Sequence, residues 1–163
     1  MNNNEHLPVY GPGPVIGGVM VIITIAACFM RNLPGLETGR LEGSIGVLFI
    51  TAGIFLIAAG IALWIYAVLV SKIDDGILNN HLVTNGAYAI VRNPIYSAIM
   101  IACTGVLLIV RNLWFLIIPL FFWSFMTVVL KNTEEKWLKD LYGNEYTEYC
   151  RMVNRCWPWI PKK

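Results

Sequence analysis

Charged residues are scarce in this chain, and they are missing from long stretches of it. Of its 163 residues, 13% are charged and 57% are hydrophobic, and the mean hydropathy is +0.63. This distribution is that of an integral membrane protein rather than of a soluble domain. The net charge is only +2 and no basic run with interleaved aromatic residues occurs, so nucleic acid is not an expected partner.

Potential metal ligands are also few, with four cysteines and two histidines. Two of the cysteines lie inside apolar runs, where cysteine is usually a small packing residue. Cys150 and Cys156 do not have the spacing of a zinc site, and no histidine accompanies them. His6 and His81 lie outside the apolar runs and are expected to be solvated. No metal site is therefore predicted.

Long apolar runs, by contrast, dominate the chain; they cover residues 15–30, 44–70, 95–110 and 113–130. A transmembrane helix needs roughly 20 apolar residues, so an all-α fold with about four transmembrane helices is predicted. The last two runs are separated only by Arg111 and Asn112. One continuous helix would place Arg111 at the membrane centre at a cost of several kcal/mol, so these runs are predicted to form a tight hairpin. The first run is expected to be a retained helix, because residues 1–14 have no basic segment typical of a signal peptide.

The distribution of Lys and Arg predicts the orientation of this bundle. With four spans, both termini lie on the same side as the 71–93 loop. That side carries Lys72, Arg92, Lys131, Lys136, Lys139, Arg151, Arg155, Lys162 and Lys163, whereas the other carries Arg31, Arg40 and Arg111. Positive charge favours the cytoplasmic side, so the termini, the loop and any site formed there are expected in the cytoplasm.

Small residues recur at intervals of seven in the second run, at Gly46, Gly53, Gly60 and Ala67. A comparable pattern in the third run comprises Ala98, Ala102 and Gly105. Such faces allow two helices to approach closely, and helix packing is the favoured interpretation. The alternative is a groove along which a narrow, lipid-like substrate could move.

The chain after Leu130 has a different, amphipathic pattern. Aromatic and aliphatic residues recur near the helical period between Trp137 and Val153, with charged residues between them. Gly143 is a candidate C-cap and Asn144 a candidate N-cap, which predicts two short helices. The two tryptophans at 157 and 159 suit the lipid headgroup layer.

A polar cluster at residues 86–96 stands immediately before the third apolar run. Pro94 suits the first turn of a helix, which makes Asn93 a candidate N-cap. The N-terminus of a helix favours an anionic group such as a carboxylate, and Arg92 would add a charged donor for the same partner. The alternative is that Asn93 only caps the helix and Arg92 reaches a lipid phosphate.

A second polar cluster, Glu134 and Glu135, follows the last apolar run. Adjacent residues on a helix point about 100° apart, so the two carboxylates cannot both face one ligand squarely. Near apolar surface their pKa values rise unless a cation is close. Arg92, a ligand ammonium or a ligand sulfonium could supply that cation. The alternative is a solvated pair beside the neighbouring lysines.

Together the two clusters resemble the isoprenylcysteine carboxyl methyltransferase and phospholipid methyltransferase superfamily. The first half of the pattern is Leu82-x-Thr84-x-Gly86-x-Tyr88-x-x-Val91-Arg92-Asn93-Pro94-x-Tyr96. The second half is Glu134-Glu135-x-x-Leu138-x-x-x-Tyr142-Gly143-x-x-Tyr146-x-x-Tyr149-x-x-x-Val153-x-Arg155-x-x-Pro158. The resemblance covers about the C-terminal half. It departs from many members at Asn93, where they have histidine, and at Ala98, where they have glycine.

The resemblance implies a membrane methyltransferase that uses S-adenosyl-L-methionine and modifies a lipophilic small molecule or lipid. It implies one domain over residues 1–163, with an N-terminal two-span part (1–70) and a cofactor-binding half (71–163). The residues implied to bind the cofactor are Gly86, Tyr88, Arg92, Asn93, Pro94, Tyr96, Glu134 and Glu135. Arg92 and Glu135 are the implied catalytic residues.

Two other functions remain open from the sequence. One is a membrane reductase that uses NAD(P)H, since sterol reductases resemble this superfamily in their C-terminal halves. The other is a tetraspan adaptor without enzymatic activity, which would leave the two spaced motifs unexplained. The acceptor and the oligomeric state are equally open.

Overall fold

The computed structural model describes residues 11–70 and 81–159, and this part of the chain is helical without a strand. Its α-helices are α1 (Gly13–Met30), α2 (Gly43–Ile65), α3 (Pro94–Ile109), α4 (Ile117–Asn132) and α5 (Glu134–Met152). Short 3₁₀ turns lie at Leu36–Gly39, Gly86–Ala89 and Leu113–Leu116, and a π-helical turn, Tyr66–Val70, extends α2. The predicted all-α class is confirmed.

Helices α1 to α4 coincide with the four apolar runs, and their directions alternate. The start of α1 lies beside the start of α3, since Gly13 faces Tyr96. Helix α2 runs antiparallel to α3, since Gly53 faces Gly105 and the later Gly60 faces Ala98. Among residues 11–70 and 81–159, three segments are long and apolar enough to cross a membrane: Gly13–Met30, Gly43–Leu69 and Leu113–Asn132. Helix α3 has 16 residues and is shorter than a usual span, so the total of four spans stays a prediction.

The small-residue faces of α2 and α3 pack directly against each other. A Cβ atom built on Gly53 would lie 2.5 Å from the carbonyl oxygen of Gly105, and one on Gly60 would lie 2.8 Å from that of Ala98. Both glycines and Ala67 are buried. The packing interpretation is therefore correct, and this face is not a groove for substrate.

The turn between α3 and α4 lies at the end of the bundle opposite to the start of α3, and it holds that end together. Arg111 adopts a left-handed conformation with φ 58°, which reverses the chain within two residues. The side chain of the buried Asn112 donates to the Leu36 carbonyl at 2.7 Å and accepts from the Trp114 backbone N–H at 3.0 Å. The Leu41 N–H donates to the Arg111 carbonyl at 2.8 Å. The predicted tight hairpin is confirmed, and these bonds attach it to the α1–α2 connection.

Helix α5 is the predicted amphipathic segment. Its hydrogen bonding runs from Glu134 to Met152, but Gly143 has φ 54° and ψ −117°, so the helix is kinked there. The expected division of this segment into two short helices at Gly143 is therefore confirmed. Beyond the kink, Tyr146 and Tyr149 are buried against Leu82, which brings the end of the chain under the loop that precedes α3.

The α2–α3 contact generates a first prediction. Gly53→Ala is expected to destabilise the protein by about 1–3 kcal/mol, because the new methyl group would meet a backbone oxygen that cannot move independently of α3. The measurement is the midpoint of thermal unfolding in detergent, which should fall by several degrees. Gly18→Ala is the matched control, since a Cβ on that helical glycine has no neighbour within 4 Å. Equal midpoints for the two variants would contradict the close packing.

Candidate functional site

A cleft lies where the start of α1, the 81–96 segment and α5 meet. Its volume is about 230 Å³, far above the roughly 10–15 Å³ that one water molecule needs, so it has room for an organic ligand. Aromatic side chains dominate its wall: Tyr88, Tyr96, Trp137, Tyr142, Tyr146 and Tyr149. The charged side chains of Arg92 and Glu134 line it as well. The cleft therefore offers one cation, one carboxylate and several aromatic faces.

The 3₁₀ turn Gly86–Ala89 sets the path of the chain into this cleft. Gly86 begins the turn with φ 57°, a conformation that favours glycine. The hydroxyl of Tyr149 donates to the Tyr88 carbonyl at 2.6 Å, and burial raises the pKa of Tyr149, so this hydroxyl stays protonated. The Arg92 N–H donates to the Asn154 carbonyl at 2.8 Å. Both bonds involve backbone atoms of the loop, so Tyr149 and Asn154 hold the loop in place.

Glu135 lies between two guanidinium groups. Arg155 donates to both of its carboxylate oxygens, from Nε at 2.5 Å and from Nη2 at 2.8 Å. Arg92 Nη1 lies 3.1 Å from the same carboxylate, and the side chains of Arg92 and Glu135 are 8% and 13% exposed. The bonds to Glu135 raise the pKa of Arg155, against the opposing effect of burial. Two cations compensate the buried carboxylate, as a buried charge requires.

Arg92 has hydrogen-bonding capacity left over. Its Nε atom is buried and has no hydrogen-bond partner in the described part of the chain, although the same side chain lines the cleft. An unpaired buried N–H costs about 1–3 kcal/mol. As a cation at the wall of the cleft, the Arg92 side chain is a candidate to bind an anionic ligand.

Glu134 points to a different partner. Its Oε1 accepts a hydrogen bond from the Tyr96 hydroxyl at 2.6 Å. Among residues 11–70 and 81–159 no basic side chain forms an ion pair with it. Burial raises the pKa of Glu134, the charge of Glu135 adds to this, and the bond from Tyr96 opposes it. This carboxylate is therefore the one available to a cationic ligand.

The α3 N-terminus differs from expectation at one side chain. Pro94 is the first residue of α3, as predicted. Asn93 occupies the N-cap position, as predicted, but its side chain makes no capping hydrogen bond. Its Nδ2 donates to the Arg155 carbonyl at 3.0 Å instead, because the C-terminal segment places an acceptor within its reach. Asn93 therefore links the loop to the segment that carries Arg155.

Six of the eight residues predicted to bind a cofactor line the cleft: Tyr88, Arg92, Asn93, Pro94, Tyr96 and Glu134. Gly86 shapes the turn beneath it, and Glu135 bonds to the arginines. The sequence reasoning assigned no role to Arg155, although its place in the second motif indicated it. It also missed Gly11, which precedes the first apolar run, and His81, which is exposed but lines the cleft.

Comparison with known sequences identifies the class of this protein. The sequence model of the phospholipid methyltransferase family matches residues 44–145, so the chain belongs to that family. The match spans α2 to α4 and both polar clusters, and the apolar helices identify an integral membrane protein. The resemblance stated from the motifs is confirmed.

A curated relative carries a more particular name. The chain is 35% identical over 81 residues to the protein-S-isoprenylcysteine O-methyltransferase of Schizosaccharomyces pombe. The matched segment covers 49% of this chain and 34% of that protein, so it spans about a third of the relative's length. No solved structure matches the chain.

The arginine pair around Glu135 generates a second prediction. Arg155→Ala should lower the free energy of unfolding by about 3 kcal/mol, the lower end of the range for breaking a buried pair, because Arg155 is itself partly exposed. Arg151→Ala is the matched control, since Arg151 pairs with Glu148 at the surface, where both side chains are more than half exposed. That change should stay within about 0.5 kcal/mol. Similar losses in a denaturant titration of both variants would rule out a structural role for the buried pair.

The raised pKa of Glu134 generates a third prediction. The folded pKa lies above the unfolded value of about 4.3, so folding disfavours the charged form. The stability present below the unfolded pKa is therefore lost as the pH rises through the window between the two values. Glu134→Gln is the reference variant, because its amide oxygen can still accept from Tyr96. Relative to this variant, the wild type should lose thermal stability as the pH rises across the window. Above the window it should stay at this lower relative stability.

The measurement is the unfolding midpoint of both proteins at a series of pH values in the same detergent. Glu148→Gln is the control, because Glu148 lies on the exposed face of the same helix. Parallel pH profiles for the wild type and Glu134→Gln would show that burial does not disfavour the Glu134 charge.

Proposed function

We propose that this protein is a membrane methyltransferase that uses S-adenosyl-L-methionine as the methyl donor and modifies a lipophilic acceptor. The observation that carries the proposal is the composition of the cleft. It combines a buried guanidinium, a carboxylate and a wall of aromatic rings; among the described residues one N–H of the guanidinium has no acceptor and the carboxylate has no basic partner. All three lie within the two motifs typical of the family.

The residues present fit the chemical groups of this cofactor. Arg92 would bind its carboxylate through the guanidinium group, and Glu134 would bind its ammonium group. The tyrosines that line the cleft would stack on adenine or face the sulfonium, which aromatic rings attract. When bound, S-adenosylmethionine supplies a methyl group activated by a sulfonium, and its transfer depends mainly on alignment with the acceptor.

The two glutamates divide the work in this proposal. Glu134 contacts the ligand, because it lines the cleft and no basic side chain in the described part of the chain pairs with it. Glu135 acts through Arg92 as a positioning residue, because it holds the guanidinium at 3.1 Å. The catalytic role expected for Glu135 thus becomes the orientation of Arg92 with the help of Arg155.

The protonation of the acceptor separates two classes of substrate. A carboxylate acceptor needs no base and leaves Glu134 free to bind the cofactor. An amine acceptor must lose a proton, and a carboxylate with a raised pKa such as Glu134 is suited to receive it. We propose that either acceptor carries a lipid-like chain and reaches the cleft from the bilayer, at the cytoplasmic end of the bundle that the distribution of Lys and Arg predicts.

Cofactor binding by the purified protein tests this proposal and is our fourth prediction. The wild type should bind S-adenosylmethionine in isothermal titration calorimetry, and Glu134→Gln and Arg92→Ala should each weaken binding at least about tenfold, which corresponds to about 1.4 kcal/mol. Glu148→Gln should bind like the wild type. No heat of binding at millimolar cofactor would refute the proposal. A thermal shift with NADPH but not with S-adenosylmethionine would support a reductase instead.

Transfer of a tritiated methyl group identifies the acceptor class. The wild type is incubated with labelled cofactor and either a prenylcysteine analogue or a total lipid extract. Label that base releases as volatile methanol indicates a carboxylate ester, whereas label that enters the phospholipid fraction and stays non-volatile after base treatment indicates a methylated amine. A cofactor-binding protein that labels neither preparation would contradict a lipophilic carboxylate or amine acceptor.

A further inference from the structure

The segment before α1 reaches the cleft from outside the region that the family model matches. That region begins at residue 44, whereas Gly11 lines the cleft beside Glu134. Helix α1 holds this segment in place, since Ile16 and Met20 are fully buried in the same core as Met100 of α3. The Ile16 N–H also donates to the Pro12 carbonyl at 2.9 Å.

Gly11 in this segment and Gly13 at the start of α1 face the hydrogen-bonded pair Tyr96–Glu134. A Cβ atom on Gly13 would lie 2.7 Å from the Tyr96 hydroxyl oxygen and 3.1 and 3.3 Å from ring atoms Cε1 and Cζ. A Cβ atom on Gly11 would lie 3.1 Å from Glu134 Oε1. These are the two oxygens joined by the 2.6 Å hydrogen bond. The segment therefore passes directly against both ends of that bond.

The lack of a side chain at position 13 is sterically required for this arrangement. At 2.7 Å a methyl group and an oxygen overlap, so a larger residue would displace the Tyr96 hydroxyl and with it the donor that orients Glu134. Gly11 has more tolerance, because the atom it meets is the end of a flexible side chain. Position 13 thus controls the geometry of the pair, and position 11 controls the space beside its carboxylate.

We infer that Gly11-Pro12-Gly13 forms a positioning wall of the cleft, which keeps the Tyr96 hydroxyl on Glu134 and leaves space there for a cationic group. The inference rests on the proposed function for the identity of that group, the ammonium of S-adenosylmethionine. The N-terminal segment and α1 accordingly belong to the binding site, in addition to anchoring the protein in the membrane.

A double-mutant cycle tests this wall and is our fifth prediction. Gly13→Ala is measured in the wild type and in the Tyr96→Phe background, where the clashing oxygen is absent and the nearest ring atoms are 3.1 and 3.3 Å away. The substitution should lower the unfolding midpoint and raise the Kd for S-adenosylmethionine by at least about fivefold in the wild type, and change both much less in the Tyr96→Phe background. Any effect on the backbone before Pro14 is common to both backgrounds and cancels.

Gly18→Ala controls for the general effect of alanine in α1, because no atom lies within 4 Å of its Cβ. Gly11→Ala is a second variant that should fold normally and still weaken cofactor binding. Equal effects of Gly13→Ala in both backgrounds, or wild-type affinity in Gly11→Ala, would overturn the inference. A wild type that binds no cofactor defeats the proposed function alone, since the cycle in unfolding midpoints still decides whether Gly13 and Tyr96 are coupled.

Discussion

The carboxylate of Glu135, held by Arg92 and Arg155, is the interaction on which the site depends. It joins three parts of the chain that are distant in sequence: the loop before α3, the first turn of α5 and the C-terminal segment. A buried carboxylate is unfavourable unless cations compensate it, so the two arginines stabilise the junction of these three parts. The bond from Asn93 to the Arg155 carbonyl and the bond from Arg92 N–H to Asn154 reinforce the same junction.

The two adjacent glutamates in the first turn of α5 have different partners and different roles. Glu135 is neutralised by Arg92 and Arg155, whereas Glu134 accepts from Tyr96 and has its pKa raised by burial, with no basic partner among residues 11–70 and 81–159. Such an uncompensated group lowers stability near neutral pH and is typical of binding sites, where a ligand supplies the missing charge. The Nε of Arg92 is likewise a buried group without a partner among the described residues. Glu135 thus contributes to stability, whereas its neighbour Glu134 contributes to the proposed function.

Much of the fold could be predicted because its determinants are local. Apolar runs predicted α1 to α4, Pro94 predicted the start of α3, and the spacing of Gly53 and Gly60 predicted close packing against another helix, which is α3. Asn93 occupies the predicted N-cap position, but its side chain donates to a carbonyl 62 residues away instead of capping the helix. Local patterns contain no information about such a distant partner.

The sequence by itself determined the helical class, the membrane character, the hairpin at Arg111 and the two motifs of the family, because each follows from composition or spacing within one segment. Only the tertiary structure decided which glutamate lines the cleft, that Arg155 neutralises Glu135, and that Gly13 lies against Tyr96. These contacts join residues far apart in the chain. Their geometry depends on how closely α1 and α2 pack on α3 and where α5 bends, which single-segment patterns do not specify.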